Sequence, residues 1–200
     1  MTRRLFMVRH GETVGASSIR FYGATDLELD ELGRDQVGRL GPLIASERFE
    51  AVVHSPLIRA RQSAAILLES LQEPPAIVES EPSFRELDFG VFEGMTIDEI
   101  ENADPAWFEE WQAGRATEFP GGDSIAGFRA RVSAAFRDVI ARHPDGDLLV
   151  VAHKGVLKNG LATLCGYDFA QMRTWDMDLG SLWVIEFAGD WILKRSNVVG

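Results

Sequence analysis

The stretch LFMVRHGET, residues 5–13, passes directly from four apolar residues to a cation, an imidazole and a glycine. A short apolar run bounded in this way predicts a buried β-strand, and the glycine lets the backbone turn sharply after it. Two explanations fit this ending. Either a buried strand has simply reached the surface, or His10 is a nucleophile displayed where a strand gives way to a loop.

Similar apolar runs recur along the chain and alternate with longer amphipathic segments. We expect a third helix at 123–142 and a closing hairpin of 181–187 and 191–199. The second helix should start with Ser55 as its N-cap and Pro56 at its first helical position. Strands alternating with helices predict an α/β three-layer sandwich around a central, mostly parallel sheet. The predicted buried strands are 5–8, 51–53, 76–78 and 148–152, and the first helix falls within 30–47.

The length of 200 residues fits one large domain. One long stretch, at about residues 89–122, departs from the alternation and is rich in Trp, Phe and acidic residues. We expect a single domain covering 1–200, with this stretch as an insertion or lid between the third and fourth core strands.

The charge of the chain excludes several classes of function. A formal net charge of −11 opposes binding of a nucleic-acid backbone and of anionic membrane surfaces. No apolar run reaches the length of a membrane span. The single cysteine, Cys165, fits a reducing compartment, so we expect a cytoplasmic protein. A bound phosphate would have to be held by a few local cations.

Three of the four histidines stand at the ends of predicted strands, where ligands of parallel sheets bind; they are His10, His54 and His153. The fourth, His143, follows a helix and is expected to be a C-terminal cap or a solvated residue. An arginine lies close to two of the strand ends, Arg9 beside His10 and Arg59 five residues after His54. Guanidinium groups and helix N-termini both bind phosphate oxygens. Two arginines, two imidazoles and backbone amides could therefore converge on one tetrahedral anion.

Five motifs in order give the chain a family resemblance: RHGET at 9–13, HSPLIRARQSA at 54–64, RELDFGVFEG at 85–94, FPGGDS at 119–124 and VVAHKG at 150–155. Together they resemble the histidine phosphatase superfamily, in the branch that includes phosphoglycerate mutases and small phosphatases. The resemblance spans almost the whole chain. It implies the corresponding α/β fold and phosphoryl transfer through a phosphohistidine.

The resemblance also implies a role for each matched residue. His10 attacks phosphorus, and Glu86 protonates the leaving oxygen and later activates water. Taken from the residues alone, Glu86 could equally be a solvated loop carboxylate. Arginines would supply the positive charge, so no metal and no cofactor are expected. Residues expected to bind the phosphate are Arg9, Gly11, Thr13, Arg59, His153 and Lys154; Thr13 could instead be a turn residue, and the ammonium of Lys154 could point to solvent.

Three positions depart from the family pattern. Ala16 stands where many relatives have Asn, and Lys154 stands where a small residue, commonly Gly, follows the second histidine. His54 occupies a position often taken by a small polar residue, and an indirect or surface role is sufficient for it. These departures bear on rate and substrate more than on the class of reaction.

The expected activity is hydrolysis of a small-molecule phosphomonoester, and two alternatives stay open. A phosphoglycerate mutase would use the same phosphohistidine, but residues 90–128 carry one basic residue against nine acidic ones, which should repel a bisphosphorylated cofactor. A phosphate-binding module without turnover would need neither His10 nor Glu86. Homodimer formation is left open. Aromatic residues of the insertion could form a leaving-group pocket or pack the insertion onto the domain; they are Trp107, Phe108, Trp111 and Phe119.

Overall fold

Six strands form one mixed sheet in the computed structural model, which describes residues 2–172 and 174–200. The strands, numbered in chain order, are β1 (Arg3–Arg9), β2 (Phe49–His54), β3 (Ile77–Ser80), β4 (Asp147–Ala152), β5 (Leu182–Phe187) and β6 (Trp191–Val198). Their spatial order is β3-β2-β4-β1-β5-β6. The first four pair in parallel, and β5 and β6 add an antiparallel edge next to β1.

Helices cover both faces of this sheet. Two apolar clusters lie on opposite faces: one packs against α1, α2 and α3, and the other against α6, α7 and the segment between β3 and β4. The α/β three-layer sandwich predicted from the sequence is therefore confirmed. The helices are α1 (Glu31–Gly38), α2 (Gly41–Ile44), α3 (Ile58–Ser70), α4 (Ile97–Ala103), α5 (Pro105–Gln112), α6 (Ile125–Arg142), α7 (Lys154–Cys165) and α8 (Phe169–Met172).

The central strand β1 shows why the opening stretch of sequence decides this arrangement. Its side chains alternate between the two faces, with Leu5 and Met7 in one cluster and Phe6 and Val8 in the other. All four are almost completely buried. A continuous apolar run is what a parallel strand covered on both faces requires.

Two of the predictions about local structure are wrong. β3 is an edge strand, and Ile77 and Val78 are 41% and 46% exposed instead of buried. Ser55 does not cap α3 and Pro56 is not its first helical residue, because the helix begins at Ile58 with Leu57 as its N-cap and no side-chain capping bond. The predicted closing hairpin is present as β5 and β6, and the third predicted helix is α6, capped by Ser124.

Residues 89–122 lie between β3 and β4 and contain α4 and α5. α4 starts with a full capping box formed by Thr96 and Glu99. The segment packs on the sheet through Ile100 and Phe108, which are buried in the same cluster as α6 and α7. None of the helices in the described part of the chain is long and apolar enough to cross a membrane.

Candidate active site

The carboxyl ends of β1 and β4 bring two imidazoles together. Arg9 pairs with Ala152 in the parallel ladder, so the residue that follows each strand is a histidine. The His10 N–H donates to the Ala152 carbonyl at 3.1 Å. The rings of His10 and His153 lie edge to face with centroids 5.1 Å apart, and both residues are buried. The structure thus places the two strand-end histidines as the sequence predicts.

The tautomer of His10 is set by its own loop. Its Nδ1 lies 2.7 Å from the Gly11 carbonyl oxygen, which can only accept, so Nδ1 carries the proton. Burial, then the charges of Arg59 and Arg9, hold the pKa of His10 well below its ordinary value, although the bond to Gly11 opposes this shift. The imidazole is therefore neutral at physiological pH, and Nε2 keeps its lone pair.

His153 is held by two side chains that sequence reasoning did not pair with it. Nε of Arg59 donates to Nδ1 of His153 at 3.3 Å, and Nε2 of His153 lies 2.7 Å from Oγ of Ser55. Because a guanidinium only donates, Nδ1 is unprotonated and the Nε2–H of the neutral ring donates to Ser55. Burial, then the charge of Arg59, keeps the pKa of His153 well below its ordinary value.

Arg59 is fully buried and its guanidinium lies on backbone carbonyls. Nη1 donates to Thr25 at 2.8 Å, and Nη2 donates to Gly23 at 2.9 Å and to Tyr22 at 3.2 Å. These bonds, with the one to His153, occupy most of the donors that the sequence analysis assigned to phosphate. In this geometry Arg59 contributes its charge, which lowers the pKa of His10 and of His153. It also holds the loop of residues 22–25 through the backbone carbonyls.

Arg9 keeps a guanidinium donor that its protein contacts leave unused. Its Nη1 donates to the Met177 carbonyl at 2.6 Å. Its Nε is buried, and no hydrogen-bond partner for it exists in the described part of the chain. A buried donor without a partner is costly, and an anion at this position would satisfy it. Burial lowers the pKa of Arg9 to about 10, so the guanidinium stays charged at neutral pH.

Glu86 is a buried carboxyl and not the solvated loop residue that the sequence left as an alternative. Its Oε1 accepts from the Leu87 N–H at 3.0 Å, and Oε2 accepts from the Gly155 N–H at 2.9 Å. Burial raises the pKa of Glu86, while the two backbone bonds and the nearby arginines act in the opposite direction. A Cβ on Gly155 would lie 2.5 Å from Oε1, so only glycine leaves room for this carboxyl.

The remaining predicted binding residues line the same edge of the sheet. Gly11 lies against α1, where a Cβ would stand 2.1 Å from the Gly33 carbonyl oxygen. Thr13 is buried, and its hydroxyl lies 2.6 Å from Oγ of Ser17. Lys154 is exposed at the start of α7, and burial of part of its side chain, then the charge of Arg9, lowers its pKa.

Ala16 adopts a left-handed conformation with φ of 61°. This backbone geometry is unfavourable for alanine and is better tolerated by asparagine and glycine. Ala16, where the family resemblance implies Asn, is thus a position at which this chain carries local strain.

The other two histidines and the cysteine lie outside this arrangement. The ring of His54 makes a local contact, with its Nδ1–H donating to the Ser55 carbonyl oxygen at 2.8 Å. His143 is the C-cap of α6, as predicted, but it is buried against Glu79 and not solvated. Cys165 packs against the core, and burial raises the pKa of its thiol to about 11.

Sequence reasoning missed two carboxylates that organise the site. Glu12 is buried and accepts from the backbone of Thr13 at 2.8 Å. Glu93 accepts from the backbone of the loop that Arg59 binds on its other side. Both belong to motifs that were recognised, yet a loop carboxylate carries no pattern that distinguishes an inward side chain from a solvated one.

The aromatic residues of the insertion pack against one another and against the core. Trp107 lies 4.8 Å from Phe119 and 4.7 Å from Phe92, measured between ring centroids. Phe108 and Phe119 are buried. Of the two roles left open for these rings, the structure supports packing. Within residues 2–172 and 174–200, no group of three His, Cys, Asp or Glu side chains could hold a metal ion.

Comparison with known proteins finds relatives that match this chain over nearly its whole length. The chain is 28% identical over 197 residues to phosphoserine phosphatase 1 of Hydrogenobacter thermophilus, covering 98% of this chain and 90% of that one. It is 27% identical over 202 residues to a Yersinia pestis protein named "Probable phosphoglycerate mutase GpmB", covering 94% and 93%. The solved structure of mycobacterial glucosyl-3-phosphoglycerate phosphatase Rv2419c matches with a TM-score of 0.85 at 26% identity, over 99% of this chain and 100% of that chain.

A family model that describes the histidine phosphatase superfamily (branch 1) matches residues 5–198. The match includes His10, Glu86 and His153. Because it covers nearly the whole chain, the protein belongs to branch 1 of the histidine phosphatase superfamily.

Proposed function

We propose that the protein hydrolyses small phosphate monoesters through a phosphohistidine at His10. The observation that carries this is one buried site in which Nδ1 of His10 donates to Gly11, leaving Nε2 free, and the carboxyl of Glu86 is held by the Gly155 N–H at the start of α7. Burial lowers the pKa of His10 and raises that of Glu86. A nucleophile needs the free lone pair of Nε2, and a proton donor needs a carboxyl that stays protonated to higher pH. His10 and Glu86 meet these two requirements.

In the first step, Nε2 of His10 attacks phosphorus and forms the N–P bond as the bond to the leaving oxygen breaks. The leaving oxygen takes the proton of Glu86, so the product departs as an alcohol. Arg9 and Arg59 stabilise the charge that develops on the phosphoryl oxygens, Arg9 by contact and Arg59 through its field on the site. Backbone amides of the Gly11 loop and of the start of α7 complete the anion pocket.

In the second step, Glu86 is ionised and acts as a base. It takes a proton from water, whose oxygen attacks phosphorus and releases neutral His10 and inorganic phosphate. The same carboxyl then holds the proton needed for the next turnover. Its two backbone hydrogen bonds stabilise the ionised state between the two steps.

The substrate class is supported by the relatives, two of which are named as phosphatases of phosphoserine and of glucosyl-3-phosphoglycerate. The mutase alternative is disfavoured by the insertion, whose carboxylates at Asp98, Glu101 and Glu109 are exposed. Such a surface repels a bisphosphorylated cofactor. The alternative of a binding module without turnover gives no reason for a buried acid next to a neutral imidazole.

The proposal includes the setting in which the enzyme works. We place it in the cytoplasm as a single domain of residues 1–200, with residues 89–122 as a lid, acting without metal and without nucleic-acid partners. The net charge of −11 supports the last point. A homodimer is compatible with this proposal, and the site is built from residues of one chain.

The test is steady-state hydrolysis of p-nitrophenyl phosphate in EDTA by the wild-type protein beside His10→Ala. Turnover that persists in EDTA and vanishes in the variant is the expected result. A quench-flow experiment with labelled substrate should trap an acid-labile phosphoenzyme in the wild type only. His143→Gln, at a histidine outside the site, serves as the matched control. Equal turnover in His10→Ala and the wild type would refute the mechanism.

A further inference from the structure

Glu93, an acidic residue of the insertion, binds the backbone of a loop in the first half of the chain. Its carboxylate accepts from the N–H groups of Gly23, Ala24 and Thr25 at 2.9, 3.0 and 3.1 Å, and from the Thr25 hydroxyl at 2.5 Å. It also accepts from the Phe89 N–H at 3.0 Å. We name Glu93 with residues 22–25 the carboxylate clamp.

The carboxylate clamp is closely packed against the segment that carries the proton donor. A Cβ on Gly23 would lie 1.6 Å from the Leu87 carbonyl oxygen and 2.9 Å from Oε1 of Glu93. Leu87 follows Glu86 directly, and its N–H holds the Glu86 carboxyl. A shift of the carboxylate clamp would therefore displace the backbone of Leu87, whose N–H binds the Glu86 carboxyl.

The other side of the same loop binds the buried arginine. The N–H groups of residues 23–25 point to Glu93, while the carbonyls of Tyr22, Gly23 and Thr25 accept from Arg59. Glu93 is also among the charges that raise the pKa of Arg59 against the effect of burial. Nε of Arg59 then donates to Nδ1 of His153. A continuous series of hydrogen bonds thus leads from the insertion to the second imidazole.

We propose that Glu93 is a positioning residue for phosphoryl transfer, which holds Arg59 and through it the orientation and tautomer of His153. The inference rests on the proposed function, because it gives Glu93 a part in that reaction. Glu93 lies behind the loop and does not touch the reacting atoms. Its effect reaches them through the Arg59 charge, which bears on both imidazoles.

The first test is Glu93→Gln, with Glu110→Gln as the matched control on the same insertion. Both oxygens of Glu93 accept hydrogen bonds, whereas an amide accepts on one only, so the variant loses the contacts of Oε1 or of Oε2. We expect kcat for p-nitrophenyl phosphate to fall about ten- to a hundredfold, as misplacement of a catalytic group by about 1 Å does. Glu110 is exposed and pairs with Arg115, so its variant should keep wild-type kcat.

The pH profile separates positioning from loss of fold. If Arg59 moves away, one of the charges that lower the pKa of His10 is lost, so this pKa rises toward its ordinary value and the acid limb of kcat/KM moves to higher pH. A variant that is only less stable keeps the wild-type profile in its folded fraction. Wild-type kcat in Glu93→Gln, or a slow variant with an unshifted profile, would overturn the inference.

Two further measurements keep the inference testable on its own. Thr25→Val removes only the hydroxyl contact of the clamp, and it should show the same shift to a smaller extent if Glu93→Gln does not fold. Long-range ¹H–¹⁵N spectra of His153 should show the Nε2–H tautomer in the wild type and a mixture in the variants. An unchanged tautomer would contradict the inference. This readout needs no turnover, so it distinguishes failure of the inference from failure of the proposed function.

Discussion

Gly155 is a position where the fold should accept a methyl group and the reaction should not. It is the second residue of α7, and its N–H binds Oε2 of Glu86. In Gly155→Ala the new Cβ would lie 2.5 Å from Oε1, whereas ordinary contact begins at 3.4 Å. The carboxyl must therefore retreat by about 0.9 Å, the difference between these two distances.

The size of the effect follows from what that retreat breaks. The 2.9 Å bond from Gly155 to Glu86 is a hydrogen bond to an ionisable carboxyl, worth about 1.5–3 kcal/mol. This corresponds to about ten- to a hundredfold in kcat. Stability should fall by less than this bond is worth, because alanine in place of glycine stabilises a helix by about 0.5–1 kcal/mol and so offsets part of the loss. The end of the Glu86 side chain can move without disturbing the backbone.

The assay compares kcat on p-nitrophenyl phosphate and on an alkyl phosphate with thermal unfolding of the same preparations. The loss should be larger for the alkyl ester, because a poor leaving group depends more on the proton from Glu86. Gly38→Ala is the matched control, since nothing lies within 4 Å of a Cβ at that position. Its kcat should equal that of the wild type.

Three results would refute this reasoning. Wild-type kcat in Gly155→Ala would mean that the position of Glu86 does not matter for the rate. Equal losses on the two substrates would mean that Glu86 does not protonate the leaving group. A fall in Tm that accounts for the lost activity would mean that the methyl group disturbs the fold and not the carboxyl.

Three further predictions concern other residues of the site. The acid limb of the kcat/KM profile should lie below pH ~6.5, the ordinary value for histidine, because burial and then the Arg59 charge lower the pKa of His10; a limb above this value would contradict the neutral nucleophile. Ala16→Gly should stabilise the protein by about 0.5–1 kcal/mol in urea unfolding, because it relieves the φ of 61°, and an unchanged midpoint would show that the loop is not strained. Ser55→Ala should cost about 1–3 kcal/mol of stability and lower kcat, because it leaves Nε2–H of His153 buried without its acceptor, and wild-type unfolding would argue against that bond.

The sequence predicts best the strands that are buried on both faces of the sheet, because such strands are continuous apolar runs. The runs at 5–8 and 148–152 are predicted as buried strands, and both are buried on the two faces of the sheet. β3 was predicted as buried because Ile77 and Val78 are apolar, yet the order of strands, which sequence alone does not give, leaves it at an edge. The composition of a segment can predict that it is a strand, but it does not predict which strands lie beside it.

The site divides in a similar way. His10 and His153 were found because strand ends are recognisable and parallel strands end at the same edge of a sheet. The sequence predicts Ser55 as a helix cap because Ser before Pro is a common helix start, but its hydroxyl lies at His153 instead. Glu93 was counted only as surface charge, because its partners are backbone N–H groups that any sequence provides.

The hydrogen bond between the His10 N–H and the Ala152 carbonyl means that the position of the His10 imidazole depends on the register of β1 against β4. A slip of β1 by one residue against β4 would turn the imidazole to the opposite face of the sheet. Recovery of activity after dilution from denaturant therefore reports on correct strand registration, whereas helical circular dichroism returns whether or not the strands are aligned. Turnover is thus a folding probe for the central pair of strands, available without any label.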